Sequence, residues 1–370
     1  MADNKDKKVL NVPALRFPEF TGEWERHKLS EVCSFYSGGT PSSSKKEYYN
    51  GNIPFIRSGE LHKDYTELFI TEAGLSNSAA KLVETGDLLL ALYGATSGDI
   101  AISKIKGAIN QAILCIRTKQ NKKFIESVWN KHVERLLQTY LQGGQGNLSA
   151  DIVKNIPFYF ANSNEQDKLA KFISLLDERI ATQNKIIEKL ETLIKGIIET
   201  VISSQKPNTL IKNCLECNSS TLQESQVAET GTFSVYGATG ISGYTETADI
   251  NGESILIIKD GSSVGIVKFV TGEYSYIGTL NSLIAKDGYC LKYIYFALQR
   301  FSFEPYKTGM AIPHIYFKDY GKAKIYCPSL SLQTLIAQKL SLIENKMEVE
   351  KRIILCYQLQ KSYLLSRMFI

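Results

Sequence analysis

Two long segments, each able to run as a single helix, repeat at a constant spacing along this chain of 370 residues, and they constrain its architecture more than any other feature. The first runs from Glu165 to Ile202 and the second from Leu332 to Phe369; neither contains proline, and Gly196 is the one glycine between them. At 1.5 Å of rise per residue each spans about 55 Å, which is long for a helix in a globular domain. At one constant offset, that from Ile180 to Met347, the residues Ile180, Gln183, Ile187, Leu190, Ile194, Ile197 and Val201 fall on Met347, Glu350, Ile354, Tyr357, Lys361, Leu364 and Met368. The steps alternate between three and four, which is the spacing of a coiled-coil seam. Either segment alone also fits an ordinary amphipathic core helix. The matched pair favours two helices packed antiparallel, with Gln183 and Glu350 as polar seam residues that fix register.

The stretches before the helices repeat more loosely. Gly86–Ala101 and Gly252–Val267 each read as a buried strand, a Gly/Ser loop and a second strand. Asn110–Ile116 answers Asn281–Ala285 as a further strand, and short helices follow near Phe124–Leu141 and Leu291–Phe301. A Gly-rich hinge, Gly143–Asn147 against Thr308–Ala311, leads into the last strand of each half. The predicted fold is therefore α/β in the α+β sense, with a pseudo-two-fold internal repeat of globular unit and long helix. Its expected bounds are a flexible basic tail (1–13), a first domain (14–161), the first helix (162–202), a linker (203–226), a smaller second domain (227–328) and the second helix (329–370). The linker is assigned from its Ser, Asn and Gln content. No counterpart of Trp24–Val32 is legible at the start of the second half.

With 44% hydrophobic and 22% charged residues and nine prolines, the chain should fold throughout. The net charge of +5 permits a nucleic-acid partner without requiring one. No apolar run approaches the roughly 18 residues that cross a bilayer, and the first eight residues lack a secretory core, so a cytoplasmic location without membrane contact is expected. Seven scattered cysteines fit a reducing compartment. Several catalytic signatures are missing: GxxxxGK[ST], HExxH, a Gly-x-Ser-x-Gly elbow, and the Asn/Asp-Pro-Pro-aromatic tetrapeptide used against a flipped base. His27, His62, His132 and His314 are too scattered for a convincing metal or general-base site. Cys214 and Cys217 form a lone CxxC, read as linker cysteines. The Tyr93–Gly98 loop precedes a strand and not a helix, which favours a turn over a nucleotide cradle.

Residues 165–202 closely resemble the helical segment of type I restriction-modification specificity subunits. Trp24–Val32, Ser37–Ser42, Gly51–Leu61 and Gly143–Pro157 resemble the target-recognition domains of that family. The resemblance implies two tandem target-recognition domains, each reading half of a split, asymmetric double-stranded DNA site. It also implies that the two antiparallel helices dock two methyltransferase subunits and set the spacing, about one and a half turns of B-DNA. Adenine methylation with S-adenosylmethionine would belong to those subunits, and ATP- and Mg-dependent cleavage to restriction subunits. This chain would bind no cofactor or metal and would have no catalytic residue of its own. The alternatives are a coiled-coil scaffold and the recognition fragment of a single-chain modification enzyme.

Base edges are read by Arg, Lys, Asn, Gln and hydroxyl side chains on loops, and phosphates are met by Lys and Arg. The first domain offers Ser37, Thr40, Ser42, Lys45, Lys46, Tyr48, Arg57, Ser58, Lys63, Tyr93, Thr96, Ser97, Gln145 and Asn147. The second offers Tyr236, Thr239, Lys259, Ser262, Ser263, Lys268, Lys307 and His314. Arg57, beside Ser58 and Gly59 after an apolar run, is the first choice for base readout. Any one of these also reads as a solvated loop residue, Tyr48 also as a core aromatic and His314 also as a turn residue.

Overall fold

Leu29 is fully buried, and its N–H donates to the Ile156 carbonyl at 3.1 Å. It joins strand β1 (Glu25–Lys28) to a one-turn helix α1 (Leu29–Val32), which leads into β2 (Cys33–Ser37). The chain continues through β3 (Tyr49–Ile56), β4 (Phe69–Ile70), α2 (Glu72–Ser76), β5 (Lys81–Val83), β6 (Leu88–Ala91), β7 (Ile100–Ile102), β8 (Gly107–Ile109) and β9 (Ile113–Thr118). Helix α3 (Lys122–Leu141), α4 (Ala150–Asn155), β10 (Pro157–Phe160) and the long α5 (Ser163–Ile198) follow. This is a computed structural model, and it describes residues 10–141, 147–309 and 311–370. Most of the expected basic tail lies outside the described residues. The chain up to Gln183 together with Ile353–Ile370 forms one unit, and Asn184–Arg352 forms the other.

In the first unit β1 pairs with β10, and two four-stranded sheets run in the orders β2-β9-β6-β7 and β4-β3-β8-β5. All four residues of β6 are buried because alternate side chains enter different cores. Leu88 and Leu90 join Phe124 and Trp129, while Leu89 and Ala91 join Val83 and Ile109.

The second unit contains β11 (Thr209–Leu210), α6 (Ile211–Cys214), β12 (Leu215–Ser219), β13 (Phe233–Gly237), β14 (Gly240–Thr245), β15 (Ile250–Ile258), β16 (Val267–Tyr276) and β17 (Leu280–Ala285). Then come α7 (Leu291–Gln299), α8 (Phe317–Tyr320), β18 (Lys324–Ile325) and the long α9 (Leu330–Met368). Its six-stranded sheet has the order β12-β17-β15-β16-β13-β14. Strand β15 repeats the two-sided burial of β6: Ile255 and Ile257 enter one core, Leu256 and Ile258 the other.

The expected linker is corrected here. Residues 203–226 include β11, α6 and β12, and β12 is paired with β17 over its whole length. Ile211, Cys214 and Leu215 are fully buried. They form a short apolar cluster that the polar average of the surrounding residues conceals. The Ile211 N–H donates to the Ala323 carbonyl at 2.9 Å, as Leu29 does to Ile156, so Thr209–Cys214 is the missing counterpart of the segment before Val32. Cys214 is a core residue with its Sγ 3.8 Å from that of Cys327, and not a linker cysteine.

Within the first unit, α5 and the end of α9 run antiparallel. Asp177 pairs with Lys361 at 2.5 Å, and a little further along α5 Arg179 reaches back to Tyr357 at 3.5 Å. Leu169, Ile173 and Leu176 share a core with Leu364, Leu365 and Met368. Within the second unit, Ile194, Ile198 and Ile202 share a core with Ile336, Ala337 and Leu340. Ile180, Gln183, Ile187, Leu190, Ile197, Met347, Tyr357 and Lys361 are half-buried, and Ile194, Glu350, Ile354, Leu364 and Met368 are buried. Val201 departs from the seam and is exposed. A π-helical turn over Glu199–Ser203 inserts one residue after Ile198, so Ile202 takes the inward position in place of Val201.

Candidate nucleic-acid interface

The loop after β6 is tied down by its own backbone. Gly98 N–H donates to Ala91 O (2.9 Å), Ser97 N–H to Gly94 O (3.1 Å) and Asp99 N–H to Thr96 O (2.9 Å). Gly98 has a φ of +85°, and a Cβ there would sit 2.9 Å from Val133 Cγ2 on α3. Only glycine meets both conditions. Neighbouring segments join at Leu92, whose N–H donates to Ala112 O (2.8 Å) and whose carbonyl accepts from Leu148 N–H (2.7 Å). Tyr93, Thr96 and Ser97 therefore stand beside Asn147, which is exposed. The Ser97 hydroxyl donates to Leu92 O at 3.0 Å, and burial raises the Tyr93 hydroxyl above its ordinary range. At the end of the loop His62 Nε2 lies 2.8 Å from Asp99 Oδ1, and this contact raises the His62 imidazole.

The second unit repeats this construction at the offset that relates the two long helices, with Gly265 in the place of Gly98. Gly265 N–H donates to Ile258 O (2.9 Å), Val264 N–H to Gly261 O (3.2 Å) and Ile266 N–H to Ser263 O (3.2 Å). Lys259 takes the place of Leu92: its N–H donates to Thr279 O (2.9 Å), and its carbonyl accepts from Ile315 N–H (2.9 Å). Gly261 and Gly265 have φ of +99° and +92°. Thr308 and His314 exchange N–H bonds of 2.9 and 2.8 Å, and Gly261 N–H donates to Pro313 O at 2.9 Å. Lys259, Ser262, Ser263 and His314 are thus assembled on one platform. Among the described residues Lys259 has no carboxylate partner.

The remaining candidates are more dispersed. Ser37 closes β2, and Thr40, Ser42, Lys45 and Lys46 are exposed in the β2–β3 connection. The Thr40 hydroxyl donates to Gln111 Oε1 at 2.6 Å, which joins it to the turn that also carries Ala112. Gln111 is exposed there and was missed, because Asn110–Ile116 reads as strand from its first residue. Tyr48 is buried and accepts a hydrogen bond from Lys45 Nζ at 3.0 Å. Ser58 is half-buried, and Lys63 lies 5.1 Å above the Tyr65 ring. Lys268 lies 4.6 Å above the Tyr236 ring, Thr239 is exposed between β13 and β14, and Lys307 pairs with Glu304 at 2.5 Å. Gln145 lies outside the described residues.

Arg57 is held from two sides, with Nη2 2.7 Å from Glu60 and 3.1 Å from Glu67. Its Nε also donates to Glu60 at 3.2 Å. Burial pushes the Glu60 carboxyl up, but hydrogen bonds from Arg57, Thr66 and the Glu67 N–H outweigh it and bring it to about 2. The guanidinium is therefore largely committed to holding β3 against the turn that follows it.

Among the described residues no cluster of three or more His, Cys, Asp or Glu side chains is arranged to hold a metal ion, and no helix is long and apolar enough to cross a membrane. Two loops of the same backbone construction carry different polar side chains, which suits recognition of two different ligand surfaces. The family described as "Type I restriction modification DNA specificity domain" matches this chain twice, over residues 21–192 and 211–355. The chain belongs to that family. Its two matched segments contain the two platforms. It is 24% identical over 204 residues to the MjaVIII specificity subunit of Methanocaldococcus jannaschii, covering 54% of this chain and 46% of that protein. It is 27% identical over 187 residues to the EcoR124I/EcoR124II specificity subunit of Escherichia coli, covering 48% and 45%. The chain thus spans under half the length of these two relatives. The match to the EcoprrI specificity subunit of Escherichia coli is 21% identical and covers 84% of each. The fold resembles that of the type I restriction-modification S subunit from M. genitalium, with a TM-score of 0.69 at 18% identity over 97% of this chain and 99% of that one.

Proposed function

We propose that this chain is the DNA-reading component of a type I restriction-modification complex and that each unit reads one half of a bipartite, asymmetric target. The observation that carries this reading is the duplicated platform at Leu92–Asp99 and Lys259–Ile266. Its backbone bonds are the same in both copies, while the side chains offered differ. A Tyr, Thr, Ser and Asn set in one unit and a Ser and His set in the other would select different bases. Lys259, Lys268 and the exposed lysines of the β2–β3 connection supply phosphate contacts.

The long helices present a second surface. In the second unit Leu335, Leu342 and Val349 recur at heptad spacing on α9 and are 50%, 64% and 49% exposed. In the first unit Cys356, Leu359 and Tyr363 continue the exposed side of the same helix. This apolar stripe fits a helix of a methyltransferase subunit, one copy for each half of the repeat. In this reading the helices set the spacer, restriction subunits join the assembly, and S-adenosylmethionine, ATP and magnesium are bound by the partners. The chain itself is non-catalytic and cytoplasmic.

The test is to express the chain with its candidate methyltransferase subunit and map adenine methylation across a genome by single-molecule sequencing. A two-part asymmetric motif that disappears when this chain is omitted supports the reading. A stable complex that leaves no methylated motif supports the scaffold alternative.

A further inference from the structure

Ile312 is 67% exposed, more than any other large hydrophobic among the described residues. Isolated exposed apolar side chains are common on protein surfaces, so exposure alone assigns nothing. What distinguishes Ile312 is how firmly its surroundings are fixed. The segment from Thr308 to His314 is closed by two reciprocal backbone bonds of 2.9 and 2.8 Å, with Pro313 next to the tip. Gly309 has a φ of +90°, and a Cβ there would lie 2.4 Å from the Ile312 carbonyl oxygen, so the turn is tight enough to exclude any side chain at that position. Bonds from Gly261 N–H to Pro313 O and from Ile315 N–H to Lys259 O, both 2.9 Å, fasten the turn to the polar platform. The His314 ring packs edge-on against Tyr316 with centroids 4.9 Å apart, which braces the turn on its other side.

The backbone bond from Ile315 to Lys259 corresponds to the bond from Leu148 to Leu92, both residues being displaced by the offset of the long helices. By the same displacement Ile312 is the sequence equivalent of Gln145. The chain therefore carries an amide at this position in one repeat and a branched alkyl group in the other. An alkyl side chain has no donor or acceptor, so the base feature it can recognise in the major groove is the C5 methyl group of thymine.

We propose that Ile312 is a specificity-determining residue of the second unit and that it contacts a thymine methyl group in the half-site read there. This inference rests on the DNA-recognition reading above. It is tested with the complete complex of this chain and its methyltransferase partner, carrying either native Ile312 or Ile312→Ala. The probe is a duplex bearing the mapped methylation motif, in which each thymine is replaced in turn by deoxyuridine, which lacks only the methyl group. Loss of one buried methyl weakens binding about fourfold. The expected result is such a loss at one thymine in one half-site for the native complex, and no loss at that thymine for Ile312→Ala. Equal losses in both proteins at every thymine, or a motif without thymine in the half read by the second unit, would overturn the proposal while leaving DNA recognition intact. Failure of the native complex to prefer the motif duplex would instead remove the recognition reading itself.

Discussion

Lys123 Nζ lies 2.7 Å from Asp177 Oδ2, joining the first turn of α3 to the long helix α5. The second unit makes the equivalent bond with other residues: Lys292 Nζ lies 2.7 Å from Glu344 Oε2 and joins α7 to α9. Glu344 is the sequence equivalent of Asp177 at the offset of the long helices, so one junction between a recognition unit and its long helix is built twice. Burial pushes the Asp177 carboxyl up, but Lys123 and Lys361 outweigh it and hold it below its ordinary value.

Breaking this bond should loosen α3 from α5. Asp177→Ala removes the partner of Lys361 and one of the two carboxylate partners of Lys123, which also pairs with Glu126. The Lys123–Asp177 pair is neither fully buried nor fully exposed, with side-chain exposures of 19% for Lys123 and 30% for Asp177. The expected loss is about 1–2 kcal/mol, between the values for surface and buried pairs. Chemical denaturation of Asp177→Ala, Lys123→Ala and the double variant measures it. Additive losses with no coupling would show that the junction is not held by this pair.

A second duplicated device is a buried glutamine. Gln166 Oε1 accepts from the Asn121 N–H at 3.2 Å while its amide donates to Ala161 O at 2.7 Å. Gln333 Oε1 accepts from the Cys290 N–H at 3.0 Å while its amide donates to Pro328 O at 2.8 Å. Each glutamine thus satisfies a backbone donor at the start of α3 or α7 and a carbonyl before the long helix. Gln166→Leu or Gln333→Leu strands both groups and should cost about 2–3 kcal/mol. Hydrogen exchange should quicken in the first turn of α3 in one variant and of α7 in the other. Unchanged exchange in both would contradict the assignment.

Arg57 and Glu60 give a pH-dependent prediction. The Glu60 carboxyl is held at about 2 in the folded chain against an ordinary 4.5. Its folded value is depressed, so its contribution is complete above about pH 4.5 and is lost as pH falls toward about 2. Stability measured from pH 6 to pH 2 should fall less steeply below pH 4.5 in Glu60→Gln than in the native chain. Parallel curves would show that Glu60 is not held in this way. Arg57→Ala should mainly cost stability by leaving that carboxylate without its partner, about 1–2 kcal/mol because Arg57 is itself half-exposed.

Lys259 separates DNA recognition from a scaffold role. If it contacts a phosphate, Lys259→Ala weakens binding of the complex to every duplex alike and lowers the salt slope by about 1. Titrations at several salt concentrations, on duplexes with and without the mapped motif, measure both effects. An unchanged slope would take Lys259 out of the phosphate-contacting set.

Much of the fold is legible in periodicity. The constant offset is visible in the long helices, whereas the strands and loops before them read only as a looser repeat. The backbone bonds of Gly98 and Gly265, whose positive φ shapes the loops, place β6 and β15 at that same offset. What was hidden depends on contacts distant in sequence or on local irregularity. The start of the second unit carries its apolar signal in Ile211, Cys214 and Leu215 alone, among polar neighbours, and an asparagine takes over the adjoining bracing: Asn208 hydrogen-bonds the Cys327 backbone at 2.9 and 2.8 Å. The exposure of Val201 follows from a π-helical turn that heptad counting does not register. The candidate site was only partly legible: the platform loops were, whereas the clamp of Glu60 and Glu67 on Arg57 arises from a turn that brings those carboxylates back to β3.

The most direct measurement of the central claim is a genome-wide adenine methylation map for the complex carrying the native chain, compared with one in which Ser262, Ser263 and His314 are replaced by alanine. If each unit reads its own half, bases in one half of the motif are relaxed while the other half and the spacer stay as they were. Changes spread over both halves, or a motif unaffected by the replacements, would contradict the assignment of one platform to one half-site.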